Sequence, residues 1–148
     1  MTIITKLWDY LFAPAPVAGR QVNHRQLGVL IADGEGWWLG KRKIGGNVIE
    51  FSIEGTNGAV NQELSEYCLS ILENFSVYYE LALDLIASDL SIPLLEASKR
   101  FTPTSIFSIT RHKNERLFYM GFTDAENKFA LWRVQFENEI ATHVGLDS

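Results

Sequence analysis

The order of its hydrophobic patterns predicts an α+β protein. Strand-like and helix-like stretches come in blocks, where a parallel α/β fold would alternate them. Gly-, Asn- and Asp-rich turn signals separate successive strand-like runs. With 148 residues, 47% of them hydrophobic, the chain has the size of one domain and enough apolar surface for a core. We expect an N-terminal helix, an antiparallel three-strand meander, an antiparallel helical hairpin and a second antiparallel three-strand meander. The helices should pack on one face of the sheet. Residues 1–148 are read as a single domain, with 1–18 a helix and its connector and 27–137 the core.

Residues 2–12 carry Ile3, Ile4, Leu7, Trp8, Leu11 and Phe12 at i, i+3, i+4 spacing, the stripe of an amphipathic helix, with Thr2 as its cap. Such a helix can pack on the domain's own core or dock on a partner, including a second copy. Its flanks lack the cluster of basic residues that anionic lipid favours. Pro14 and Pro16 make residues 13–19 an extended connector.

Three strands are expected over 27–54. The first, residues 27–32, is apolar enough to be covered on both faces. Asp33-Gly34-Glu35-Gly36 turns the chain into residues 37–43, and Ile44-Gly45-Gly46-Asn47 turns it again. Residues 48–54 alternate, with Ile49, Phe51 and Ile53 on one face and Glu50, Ser52 and Glu54 on the other.

Residues 59–75 read as a helix with Val60, Leu64, Tyr67, Cys68, Ile71, Leu72 and Phe75 at helical spacing. Residues 77–90 read as a second, with Tyr78, Leu81, Leu85, Ala82 and Ile86 on its apolar side. Pro93 opens a further helical turn through Lys99. Strands are expected again over 104–111, 116–123 and 128–137, separated by turns at His112–Glu115 and Asp124–Asn127. The tail to Ser148 has no clear pattern.

The composition narrows the function classes. A net charge of −5 disfavours non-specific nucleic-acid binding. No apolar run is long enough to cross a bilayer. Lys6 and Asp9 interrupt the apolar part of the N-terminal segment, which argues against a signal peptide. The lone Cys68 cannot pair internally, which fits a reducing cytoplasm, and on an apolar helical stripe its thiol should be inert. His24, His112 and His143 stand alone, without metal-ligand spacing. Gly34 and Gly36 precede a strand, not a helix, so they make a turn and not a phosphate cradle. The carboxylates at Asp33-Gly34-Glu35 and in the Asp124 turn fall short of a calcium loop. We therefore expect no catalytic residue, no cofactor and no metal.

Charge is distributed unevenly. Residues 44–98 hold nine acids and no base, a formal charge of −9 against +4 for the rest. Glu63, Glu66, Glu73, Glu80 and Asp84 fall on the outward faces of the two expected helices. Like charges at these spacings repel slightly. Either Lys and Arg from the flanking strands neutralise them, or they form a binding face for a basic protein partner. A second candidate is a small-ligand or enzymatic site converging from Trp38, Arg42, His112, Arg116 and Tyr119. A third is assembly through the N-terminal helix.

The run Trp37-Trp38-Leu39-Gly40, then Gly45-Gly46-Asn47-Val48-Ile49-Glu50-Phe51-Ser52-Ile53, a helical pair and a returning meander resembles small bacterial α+β domains of unknown function. Related groups of these serve as immunity proteins in toxin gene clusters. The resemblance covers residues 27–137 and rests on hydrophobic spacing and turns. It implies a binding role and carries over no site residue. Together with the missing catalytic signature, it leads us to expect a cytoplasmic, non-catalytic binding protein.

Overall fold

The structure is a computed structural model and describes residues 18–56 and 59–147. The expected helix over 2–12, most of its connector and the turn at 57–58 lie outside the described residues. Three helices and a nine-stranded sheet make up the rest. The elements are β1 (Gln21–His24), β2 (Gly28–Ala32), β3 (Trp37–Ile44), β4 (Asn47–Thr56), β5 (Ala59–Val60), α1 (Gln62–Glu73), α2 (Phe75–Leu90), α3 (Leu94–Arg100), β6 (Phe101–His112), β7 (Glu115–Asp124), β8 (Asn127–Glu137) and β9 (Ile140–Asp147).

The sheet runs β1-β2-β3-β4-β6-β7-β8-β9, with β5 added to the end of β4. Every pairing is antiparallel except β4 with β6, which is parallel and joins the two meanders. A parallel pair needs a crossover, and here the crossover contains all three helices. Each meander has one strand more than the sequence pattern predicted. β1 is short and polar, and β9 lies in the tail that showed no pattern. Both are edge strands.

Turn chemistry sets the register. Gly45 and Gly46 take φ of 56° and 89°, the two left-handed positions of a tight hairpin, and Ile44 pairs with Asn47 across it. Asn138 and Glu139, with φ of 48° and 69°, close β8 onto β9 in the same way. Asn138 Oδ1 also accepts a hydrogen bond from Arg116 N at 3.0 Å, tying that turn to β7.

The first helix begins later than its periodicity predicted. Ala59 and Val60 pair with β4 instead. Asn61 then caps α1, its Oδ1 accepting from Leu64 N at 3.0 Å. Asn74 alone separates α1 from α2. Ser91, left-handed at φ 53°, ends α2, and Pro93 caps the short α3.

Strand alternation sorts the sheet into two faces. Trp38, Phe51, Ile53, Ile106, Phe118, Met120, Phe122, Val134 and Phe136 point to the helical side and are buried. Tyr67 of α1 and Tyr78 of α2 meet the Phe118 ring edge-on at 5.9 and 5.4 Å, while Phe118 stacks on Phe136 at 4.7 Å. Cys68 lies fully inside this core, where burial pushes its thiol up to about 12. Space is tight enough at Gly40 that a Cβ would overlap the Phe51 ring and Leu30.

Two packing expectations change. The strand over 27–32 is covered on one face only by the described residues: Leu30 and Ala32 are buried, but Val29 and Ile31 are exposed. On α2 the buried stripe is Phe75, Tyr78, Ala82, Leu83, Ile86 and Ala87, and Leu81 points outward. The apolar residues of α2 outnumber the positions its core face can hold.

Candidate binding surfaces

The outer surface of α1 and α2 carries Glu63, Glu66, Glu73, Glu80 and Asp84, all exposed. The flanking strands neutralise one of them: Arg111, at the end of β6, pairs with Glu63. Gln62 Nε2 reaches Glu66 at 3.4 Å. Among the described residues, no ion pair engages Glu66, Glu73, Glu80 or Asp84. Within the described residues, these four carboxylates thus leave negative charge on the helices without a direct cationic partner.

That surface is not purely polar. Val77 and Leu81, at 54% and 39% exposure, stand one helical turn apart on α2. Glu80 and Asp84 are their neighbours on α2 at helical spacing, and Glu73 ends α1 just before it. The strip continues into a cleft of about 350 Å³ between α2 and the β8–β9 turn, lined by Leu81, Leu85 and Ile140 with Asp84 and Glu139 at its edge. Apolar side chains among charged ones also make up the core and rim of protein-binding patches.

A second surface lies on the side of the sheet away from the helices. Val29 and Ile31 of β2, Leu39 of β3, Ser52 of β4 and Phe107 of β6 line an apolar groove of about 590 Å³. Lys41 and Glu50, opposite each other on β3 and β4, add a pair of charges. The strands bring these residues side by side because all occupy the outward parity: Ile31 pairs with Leu39, Leu39 with Ser52, and Glu50 with Ser105. The signal for this groove is present in the sequence. A strand with apolar residues at both parities needs cover on both faces, and the described helices supply only one.

The five residues of the alternative site do not converge. Trp38 is sealed in the core. Arg42, on the helical side of β3, donates to Gln26 O at 2.5 Å. Arg116 lies over the Tyr67 ring at 4.6 Å and pairs with Glu139 at 2.6 Å. Tyr119 is on the opposite face, stacked on Phe107 at 5.3 Å. His112 sits exposed at the tip of the β6–β7 hairpin.

The histidines lie apart as well. His24 Nδ1 accepts from Gln26 N and Leu27 N at 3.2 and 3.1 Å, holding the β1–β2 turn. His143 lies on the outward face of β9. Among the described residues, no group of three or more His, Cys, Asp or Glu is placed to hold a metal. No described helix is long and apolar enough to cross a membrane.

The strongest buried electrostatic group is structural. Asp124, buried at the end of β7, accepts from Arg100 Nε and Nη2 at 2.9 and 3.0 Å, from Trp132 Nε1 at 3.1 Å and from Glu126 N at 2.9 Å. The hydrogen bonds from Arg100 hold its carboxyl below the usual carboxylate value against the opposing effect of burial. Every oxygen is occupied within the fold, which leaves none for a ligand.

No protein-family model matches this chain, and neither a curated protein nor a solved structure matches it significantly.

Proposed function

We propose that this is a non-catalytic protein-binding domain that uses the outer surface of α1 and α2 against a basic partner. The observation that carries this reading is the strip of Val77 and Leu81 beside Glu80 and Asp84, with Glu73 at the end of α1, carboxylates without ion pairs among the described residues. Burying the apolar strip supplies affinity, and the carboxylates select a positive surface and speed encounter. Glu63, already paired with Arg111, contributes least. The scattering of the five residues of the alternative site across both faces of the sheet favours binding over catalysis. Stoichiometric inhibition of a basic protein in the cytoplasm, as by an immunity protein, is one form of such binding and requires no catalytic group.

The test uses the full chain as bait in its native extract. A basic protein should be retained at low salt and released at about 1 M, where the screening length falls to about 3 Å. Reversing Glu66, Glu73, Glu80 and Asp84 to Lys should slow its association by about tenfold or more while leaving the fold intact. Capture that is indifferent to both salt and charge reversal sinks the reading.

A further inference from the structure

The groove on the open face of the sheet needs an occupant. Val29, Ile31 and Leu39 are 51%, 39% and 42% exposed in adjacent strands. Antiparallel sheets with one solvated face ordinarily put polar residues there. We infer that the N-terminal segment of the same chain, residues 2–12, seats its apolar stripe in this groove and forms the missing layer.

Three observations select this occupant. The first is where the described chain begins. Gly19 N donates to Ala32 O and Ala32 N to Arg20 O, both at 2.9 Å, and Ala18 lies against Gly34 in the β2–β3 turn. The preceding residues therefore leave from the end of β2, the strand that supplies Val29 and Ile31 to the groove. The second is reach. Five connector residues in extended polyproline geometry span about 15 Å. The groove crosses β2, β3, β4 and β6, three strand spacings or about 14 Å. A helix over residues 2–12 would be about 16 Å long, a matching length. The third is chemistry. Ile3, Leu7, Trp8 and Leu11 fall on one helical face, and the groove wall offers Val29, Ile31, Leu39 and Phe107. Tethering also favours this segment over a free ligand, because a short linker holds it at millimolar effective concentration.

A cysteine pair in the full chain tests the arrangement. Cys68 is buried, so engineered thiols can be read without removing it. Leu7→Cys with Leu39→Cys should form an intramolecular disulfide under mild oxidation. The yield should be several-fold above that of Leu7→Cys with Glu80→Cys on the helical side. A disulfide-linked dimer would assign the groove to a second copy or an exchanged segment and overturn the proposal. A yield no better than the control would also overturn it. Independently, Leu7→Asp with Leu11→Asp in the full chain should expose the groove and raise binding of an apolar fluorescent dye several-fold, with unchanged far-ultraviolet circular dichroism. Unchanged dye binding in a folded variant counts against the proposal, and a variant that does not fold leaves the decision to the cysteine pair. A small apolar molecule retained by the unmodified protein in native mass spectrometry would make the groove a ligand site and end the proposal. None of these readouts involves the acidic surface, so the proposed function stands or falls separately.

Discussion

On the face of the sheet opposite the helices, β7, β8 and β9 present Tyr119, Arg133, Gln135 and His143, whereas β2 and β3 present Val29, Ile31 and Leu39. In the second meander the apolar area around Tyr119 is covered by the strands' own side chains, while Phe129 and Leu131, at the start of β8, stay 93% and 36% exposed. Phe107 and Tyr119 stack, Arg133 lies over Tyr119 at 5.5 Å, and the same Arg133 reaches Asp147 at 3.5 Å. In the first meander Ile31 and Leu39 stay 39% and 42% exposed, and the charges at Lys41 and Glu50 sit one step along the strands. The backbone pattern is the same on both sides. Whether a sheet face can stand in water is decided by the residues at one parity, and here the two halves differ.

A graded set of substitutions measures the contrast. Phe118→Ala on the helical side removes a ring that contacts Tyr67, Tyr78 and Phe136 and should cost about 3–5 kcal/mol in denaturant unfolding. If the groove is covered as inferred above, Leu39→Ser should cost about 1–2 kcal/mol, the transfer value for partial burial. Arg133→Ala should cost less than about 1 kcal/mol, since its side chain and Asp147 are well exposed to solvent. If Leu39→Ser were neutral, the two halves would be equally at ease in water and the contrast would disappear.

Asp124 gives the second-largest effect, after Phe118. Asp124→Asn leaves Arg100 without its bidentate acceptor and should cost about 3 kcal/mol near neutral pH. The sign of the pH dependence follows from the depressed carboxyl. Its stabilisation is complete above the unfolded value of about 4 and is lost as pH falls through the lower folded value. The difference between wild type and Asp124→Asn should therefore be flat from pH 7 to about 5 and shrink below about 4. A difference that grows on acidification would contradict the assignment.

Much of the fold was legible because long elements have strong periods. The alternation of Ile49, Phe51 and Ile53 and of Phe118, Met120 and Phe122 appears in the structure as read. β1 and β9 were not legible. Gln21–His24 is short and polar, and Ile140–Asp147 mixes Thr, His and Gly into its alternation. Edge strands bury little, so little hydrophobic pattern is required of them. The joining of the two meanders was left open, because a parallel pairing between β4 and β6 leaves no local trace. On the acidic surface, the carboxylates were visible as a missing set of bases. The pairing of Glu63 with Arg111 was not, since it spans 48 positions. Periodicity puts Leu81 in the core stripe, because it cannot tell how wide a buried face is.

The parallel pairing of β4 with β6 bears on how the chain folds. Hairpins such as β3–β4 and β8–β9 close through two-residue turns and can form within their own stretch of chain. The seam cannot. Ser108, left-handed at φ 55° in a bulge of β6, donates its N–H to Ser52 Oγ at 2.9 Å across a separation of 56 residues. The entropy of closing that loop has to be offset before any contact across it contributes. We therefore expect the two meanders to pair only after α1, α2 and α3 collapse and bring their edges together. Truncating Ile53 or Ile109 should slow refolding, whereas an equally destabilising change at Val134 should act mainly on the unfolding rate. Chevron plots would distinguish the two. The rate of folding would then be governed by the seam of β4 and β6, where the two meanders of the described sheet join edge to edge.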